Sequence, residues 1–132
     1  MKNQIKKVYQ TEFEANKGNA LQACVASIFG ETIENVPNFI ESDNYANAIS
    51  DFVYTNYGLT FVKILLNKDE LDFPVQHETW ILAAGKSPRG NFKHVVVSKI
   101  VDKKITLLHD PYPNANGLLG APNWIGLFVK AF

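Results

Sequence analysis

The sequence predicts an α+β fold, with N-terminal helices packed on a mostly antiparallel sheet. Three observations carry this reading. Apolar residues recur at helical spacing as far as Gly58, then give way to runs rich in β-branched and aromatic residues. The apolar share is 46% and the aromatic share 12%, which suits a packed core rather than a disordered chain. The 132 residues suit one domain, spanning 1–132, large enough to fold without cross-links.

"GNALQACVASIFG", residues 18–30, reads as the first helix. Leu21, Cys24, Val25, Ile28 and Phe29 form its apolar stripe, and Gly30 can close it in the left-handed region. "TIENVPNF", 32–39, reads as a short helical turn that ends before Pro37. "SDNYANAISDFVYTNYG", 42–58, is the clearest helix, with Ser42 or Asp43 as its cap and Gly58 as its end. Tyr45, Ala48, Ile49, Phe52, Val53 and Tyr57 share one face of it. Five strands follow, at 59–66, 79–85, 92–101, 105–110 and 124–132. The "VDKK" stretch joins the third and fourth as a hairpin.

Thirteen basic and thirteen acidic side chains balance to a net charge of +0. Bulk electrostatics therefore give no reason to expect nucleic acid or an anionic membrane as partner. One cysteine, Cys24, precludes an internal disulfide and fits a reducing compartment. The polar start "MKNQIKKVYQTEFE" lacks a signal core, and no run approaches a membrane span. The expected location is the cytoplasm. No metal spacing, phosphate loop or Rossmann glycine pattern is present, so neither metal nor cofactor is expected.

Two groups suggest chemistry at one end of the hairpin. With pairing symmetric about Asp102 and Lys103, His94 lies opposite Pro111, one position from Asp110. A carboxylate there can accept the imidazole N–H and fix its tautomer. Strict alternation puts 94 and 110 on opposite faces, so a bulge, a three-residue loop or strand-end twist is needed to join them. His109 adjoins Asp110 and competes for the histidine role, while His77 reads as a loop residue. An accidental histidine–aspartate pair is the plainer alternative.

The first helix adds a third point. A thiol at a helix N-terminus has its thiolate favoured by the dipole and by unpaired backbone N–H groups, which also hold a developing oxyanion. Position 20 is such a place and holds Ala20. Cys24 sits one turn deeper on the apolar stripe and reads as a core thiol.

"KGNALQACVASIFGETIENVPNF", "AAGKSPRGNFKHVVV" and "LLHDPYPNANGL" together resemble small bacterial and phage papain-like cysteine peptidases, similar to the bacteriocin-leader peptidases. The likeness is collinear over roughly residues 8–119. It implies a papain-like fold, with His94 as general base and Asp110 as its orienting acid. It places the nucleophilic cysteine at position 20, where this chain has Ala20, so the chain as written is expected to be inactive. Either Ala20 is an engineered Cys→Ala change, which the intact remainder of the site favours, or it is a natural loss that left a binding module.

Supporting residues follow from the same reading. Gln10 can supply an oxyanion-hole amide, as glutamine does in papain-like sites; a solvated surface glutamine is the plain alternative. Asn19 and Tyr112 are taken as substrate contacts. Ser87 and Arg89 in "GKSPRG" can meet a substrate carboxylate or phosphate, or belong to a solvated loop. Trp80, Tyr112 and Trp124 can wall a pocket, or belong to the core. The expected partner is a peptide or small-molecule amide, with a host protein as one source of it. The rival functions are an acyltransferase using the same triad and a papain-like binder without turnover.

Overall fold

Leu21, Cys24, Val25, Ile28 and Phe29 come together as the buried stripe of α1, which spans Ala20–Phe29. In this computed structural model, which describes residues 4–14, 17–66 and 78–131, the helix begins at Ala20 and ends at Gly30. Gly30 adopts φ 71°, where a glycine carries no Cβ penalty. Two 3₁₀ turns follow, Ile33–Asn35 and Phe39–Glu41, the first stopping short of Pro37. The second helix, α2, spans Tyr45–Tyr57. Its cap is Asn44, whose side chain accepts from the Asn47 N–H at 3.1 Å, not the expected Ser42 or Asp43. Ser42 is occupied one turn earlier, donating to the Phe39 carbonyl at 2.8 Å. Ile49 and Val53 are fully buried, and the other four residues of the expected face pack against the same core.

The strands are β1 (Leu59–Leu65), β2 (Thr79–Lys86), β3 (Lys93–Val101), β4 (Lys104–His109) and β5 (Trp124–Lys130). They form one antiparallel sheet in the order β1-β5-β2-β3-β4. Period-2 alternation sorts the side chains onto two faces. Leu82, Ala84, Val95, Val97 and Phe128 join α1 and α2 in the main core. Ile81, Ala83, Val96, Ile100 and Ile125 form a second apolar cluster. The general α+β expectation holds, with helices before strands.

The β3–β4 hairpin turns on Asp102 and Lys103, at φ 52° and 65°. Positive φ at both central residues is the twist-matched geometry of a two-residue hairpin turn. Pairing is symmetric about this turn from Val101↔Lys104 to Ser98↔Leu107. There it slips, and the next pair is Val97↔His109. The extra residue, Leu108, makes a β-bulge. Continuing the shifted register sets Asp110 against Val96, so Asp110 and His94 fall on the same side of the ladder.

The N-terminal segment straps these parts together. Lys6 N–H donates to the Ser27 carbonyl at 3.0 Å, and Val8 N–H to the Ser27 hydroxyl at 3.0 Å. Gln10 N–H reaches the Pro111 carbonyl at 2.9 Å. The strap thus spans from α1 to the loop that follows β4.

Candidate active site

His94 enters as the second residue of β3, and Asp110 follows directly on β4. The bulge at Leu108 brings them into contact: His94 Nε2 lies 2.7 Å from Asp110 Oδ1, with the two side chains 4% and 1% exposed. Two backbone donors complete the carboxylate. Tyr112 N–H donates to Oδ1 at 2.9 Å and Gly117 N–H to Oδ2 at 2.8 Å. The loop 111–117 therefore folds around Asp110. Burial opposes ionisation of this carboxyl, but the bonds from His94, Tyr112 and Gly117 outweigh it and hold it below the ordinary range. An ionised carboxylate only accepts, so Nε2 carries the ring proton, and the neutral imidazole keeps its lone pair on Nδ1.

Linkage gives this pair a pH signature. The unfolded chain binds the Asp110 proton more readily, so the pair stabilises the fold above the ordinary value of 3.8. That stabilisation is lost as pH falls from there through the lower folded value. Chemical denaturation at pH 3 and pH 7 should show a smaller difference in Asp110→Asn than in the unaltered protein. An equal difference would remove Asp110 from the account of acid sensitivity.

Ala20 occupies the first helical position of α1 and is partly exposed. The preceding Asn19 sits at the cap position, yet its side chain caps nothing. Its Oδ1 instead accepts from Thr11 N–H and Glu12 N–H, both at 2.9 Å. Its Nδ2 donates to Thr11 Oγ1 at 2.8 Å and Gln22 Oε1 at 3.2 Å. The first-turn N–H groups of α1 thus receive no side-chain cap, and the positive end of the helix dipole stays open for an anion. Asn19, expected to contact substrate, has its amide committed to holding the strap.

Two chambers meet at this point. One, of about 450 Å³, has an apolar wall that includes Leu21, Tyr45, Ala84 and Trp124. The other, of about 390 Å³, is the more polar of the two and includes Gln10, Arg89 and Tyr112. Gly18, Ala20, Ile40, Lys93 and His94 line both. Position 20 and the imidazole therefore share one cleft, at the junction of its two arms.

Gln10 is buried, and its Nε2 donates to the Glu12 carbonyl at 3.1 Å. A Cβ on Gly18 would lie 3.5 Å from that Nε2, so the amide reaches the approach to α1. The plain alternative of a solvated surface glutamine is overturned. Arg89 stacks on Tyr112, its guanidinium carbon 3.7 Å from the ring centroid. Ser87 is corrected: it is 1% exposed, lines neither chamber, and uses its hydroxyl to accept the Arg89 N–H at 3.1 Å. It shapes the loop instead of meeting a ligand.

The competing residues find other places. His109 donates from Nε2 to the Val8 carbonyl at 2.7 Å and packs edge-on against Tyr9, so it anchors the strap. Burial lowers its pKa, against the pull of that carbonyl, and Lys7 lowers it further. Cys24 is fully buried, with its thiol on the Val95 carbonyl at 3.5 Å; burial, then the Asp110 charge, push its pKa well up. His77 lies outside the described residues. Trp80 packs on the core, whereas Trp124 does wall the apolar chamber.

The sequence reading missed Ile40, Tyr45, Lys63 and Phe13 as cleft residues. Tyr45 and Lys63 come from α2 and β1, and no local pattern marks which residues of those elements rim a distant helix end. Among the described residues, no group of three or more His, Cys, Asp or Glu could hold a metal ion, and no helix is long and apolar enough to cross a membrane. Comparison with known protein families, with characterised proteins and with solved structures finds no match.

Proposed function

We propose that the chain is a papain-like cysteine hydrolase domain, built for an amide, peptide or isopeptide bond, whose nucleophile position holds Ala20. One observation carries this reading: Ala20, at an uncapped helix start, and His94, held by buried Asp110, line the same cleft.

In the active form a thiol at position 20 gives its proton to His94 Nδ1. The thiolate attacks the substrate carbonyl carbon, and the oxyanion is held by the first-turn N–H groups of α1 with Gln10 Nε2 beside them. As the C–N bond breaks, the imidazolium returns the proton to the leaving amine. Water then attacks the thioester while His94 accepts its proton; the C–S bond breaks, the acid leaves, and the imidazolium returns the proton to the departing thiolate. An amine in place of water would make the same site an acyltransferase. With a methyl at position 20 none of these steps can start, and the cleft can only bind.

The test is Ala20→Cys with a thiol-directed electrophile such as chloroacetamide at pH 6. Labelling at 20 should run about tenfold or more faster than a free thiol of ordinary pKa, and should fall to the free-thiol rate when His94 is also changed to Ala. Buried Cys24 serves as the unreactive internal control. Labelling at 20 no faster than a free thiol, with or without His94, would favour a binding module.

A further inference from the structure

The polar arm of the cleft holds two unpaired groups that the hydrolase reading leaves unused. Arg89 Nε–H is buried and meets no acceptor among the described residues. The guanidinium carbon sits over the Tyr112 ring, 3.7 Å from its centroid, a contact that helps position its forked donors before any ligand arrives. Gln10 Oε1, in the same chamber, is likewise buried and receives no donor. Buried polar groups are normally paired, because an unmade hydrogen bond costs the desolvation of the group.

The other charges around the cleft are accounted for. Lys93 Nζ is 2.7 Å from Asn123 Oδ1. Lys63 Nζ is 2.7 Å from the Tyr45 hydroxyl and lies over the Tyr45 and Trp124 rings. Glu14 also lines the polar chamber but is exposed and makes no ion pair with Arg89. Arg89 is thus the cation in this arm with an uncommitted buried donor.

A ligand that satisfies both groups brings an oxyanion for Arg89 and an N–H for Gln10. A phosphate ester brings acceptors alone. An amide N–H next to a carboxylate brings both, and the adjoining apolar chamber of about 450 Å³ takes a hydrocarbon group on the far side of that amide. We propose that the cleft selects amides of an apolar acyl group with an α-amino acid, reading the free carboxylate through Arg89 and the amide N–H through Gln10. The last residue of a peptide shares this chemistry.

This proposal rests on the hydrolase reading for its amide, but it is tested by binding to the Ala20 protein, with no turnover needed. The probes are N-octanoylglycine, its uncharged N-octanoylglycinamide, and decanoate, which keeps the carboxylate and lacks the amide. Calorimetry should show the acid binding about 10- to 100-fold tighter than the glycinamide. Arg89→Gln should abolish that preference while the acid and the glycinamide both still bind measurably, which also shows that the cleft is still formed. Lys93→Gln should retain the preference, and decanoate should bind more weakly than N-octanoylglycine. A short peptide ending in glycine that outcompetes N-octanoylglycine assigns the source to a peptide end; the reverse order assigns it to a free acyl amino acid. No binding, equal binding of acid and glycinamide, or a preference that survives Arg89→Gln overturns the proposal. Thiol labelling of Ala20→Cys can succeed or fail independently of all of these.

Discussion

Asp110→Ala is expected to destabilise the protein by about 3–5 kcal/mol, lowering its thermal midpoint by roughly 10–20 °C. The carboxylate is buried and takes three hydrogen bonds, from His94, Tyr112 N–H and Gly117 N–H. Truncation removes them together and leaves all three donors in a site with little access to water. The loop 111–117 loses its centre, and with it the carbonyl of Pro111 that receives Gln10. Asp110→Asn is the informative partner variant. Its amide keeps the volume and one acceptor oxygen, but it cannot accept from both sides as a carboxylate does. Its loss should fall between the unaltered protein and Asp110→Ala in a thermal or denaturant melt. A loss under about 1 kcal/mol in Asp110→Ala would mean that the pair is not buried as described.

The second large effect is expected at Asn19→Ala, at about 2–4 kcal/mol. Asn19 is 4% exposed and spends its whole amide on the chain, two N–H groups accepted and two donors given. Losing it strands the Thr11 and Glu12 amides and frees the strap that carries Gln10. Hydrogen exchange should therefore accelerate at Thr11 and Glu12 well before it does in β2 or β3. Asn19→Asp, which keeps the acceptor and loses the donors, should recover about half of the stability. Unchanged exchange at Thr11 and Glu12 in Asn19→Ala would show that the strap is held by its other contacts to Ser27 and Pro111.

Much of this architecture was legible in the residues because local and global preferences agree. The switch from helical spacing to β-branched runs after Gly58 fixed the order of helices and strands, and both closing glycines adopt the left-handed region. The hairpin centre at Asp102 and Lys103 was readable from the two strong strand patterns on either side. The bulge was readable only as a condition: His94 and Asp110 could meet if the register slipped, and nothing in "ITLLHD" says that Leu108 is the extra residue. The cap at Asn44 was missed because Ser42, Asp43 and Asn44 are all good caps, and the choice fell to Ser42's bond with Phe39. In the sequence Asn19 and Ser87 suggest ligand contacts, because polar residues near a reactive position can bind. Their bonds run to Thr11, Glu12 and Arg89 N–H groups, partners that only the folded chain brings near. Of the apolar arm only Trp124 was legible, since Tyr45 and Lys63 join it from two other elements.

The claim that position 20 is built to hold a thiolate beside His94 is tested most directly by titrating that thiolate. In Ala20→Cys, ultraviolet absorbance of the thiolate against pH should give an apparent pKa at least one unit below the free-cysteine value of about 8.5, returning toward that value when His94 is also changed to Ala. Buried Cys24, whose pKa is raised, stays silent across the range. A thiol at position 20 that titrates at or above about 8.5, with the same value whether or not His94 is present, would contradict the account.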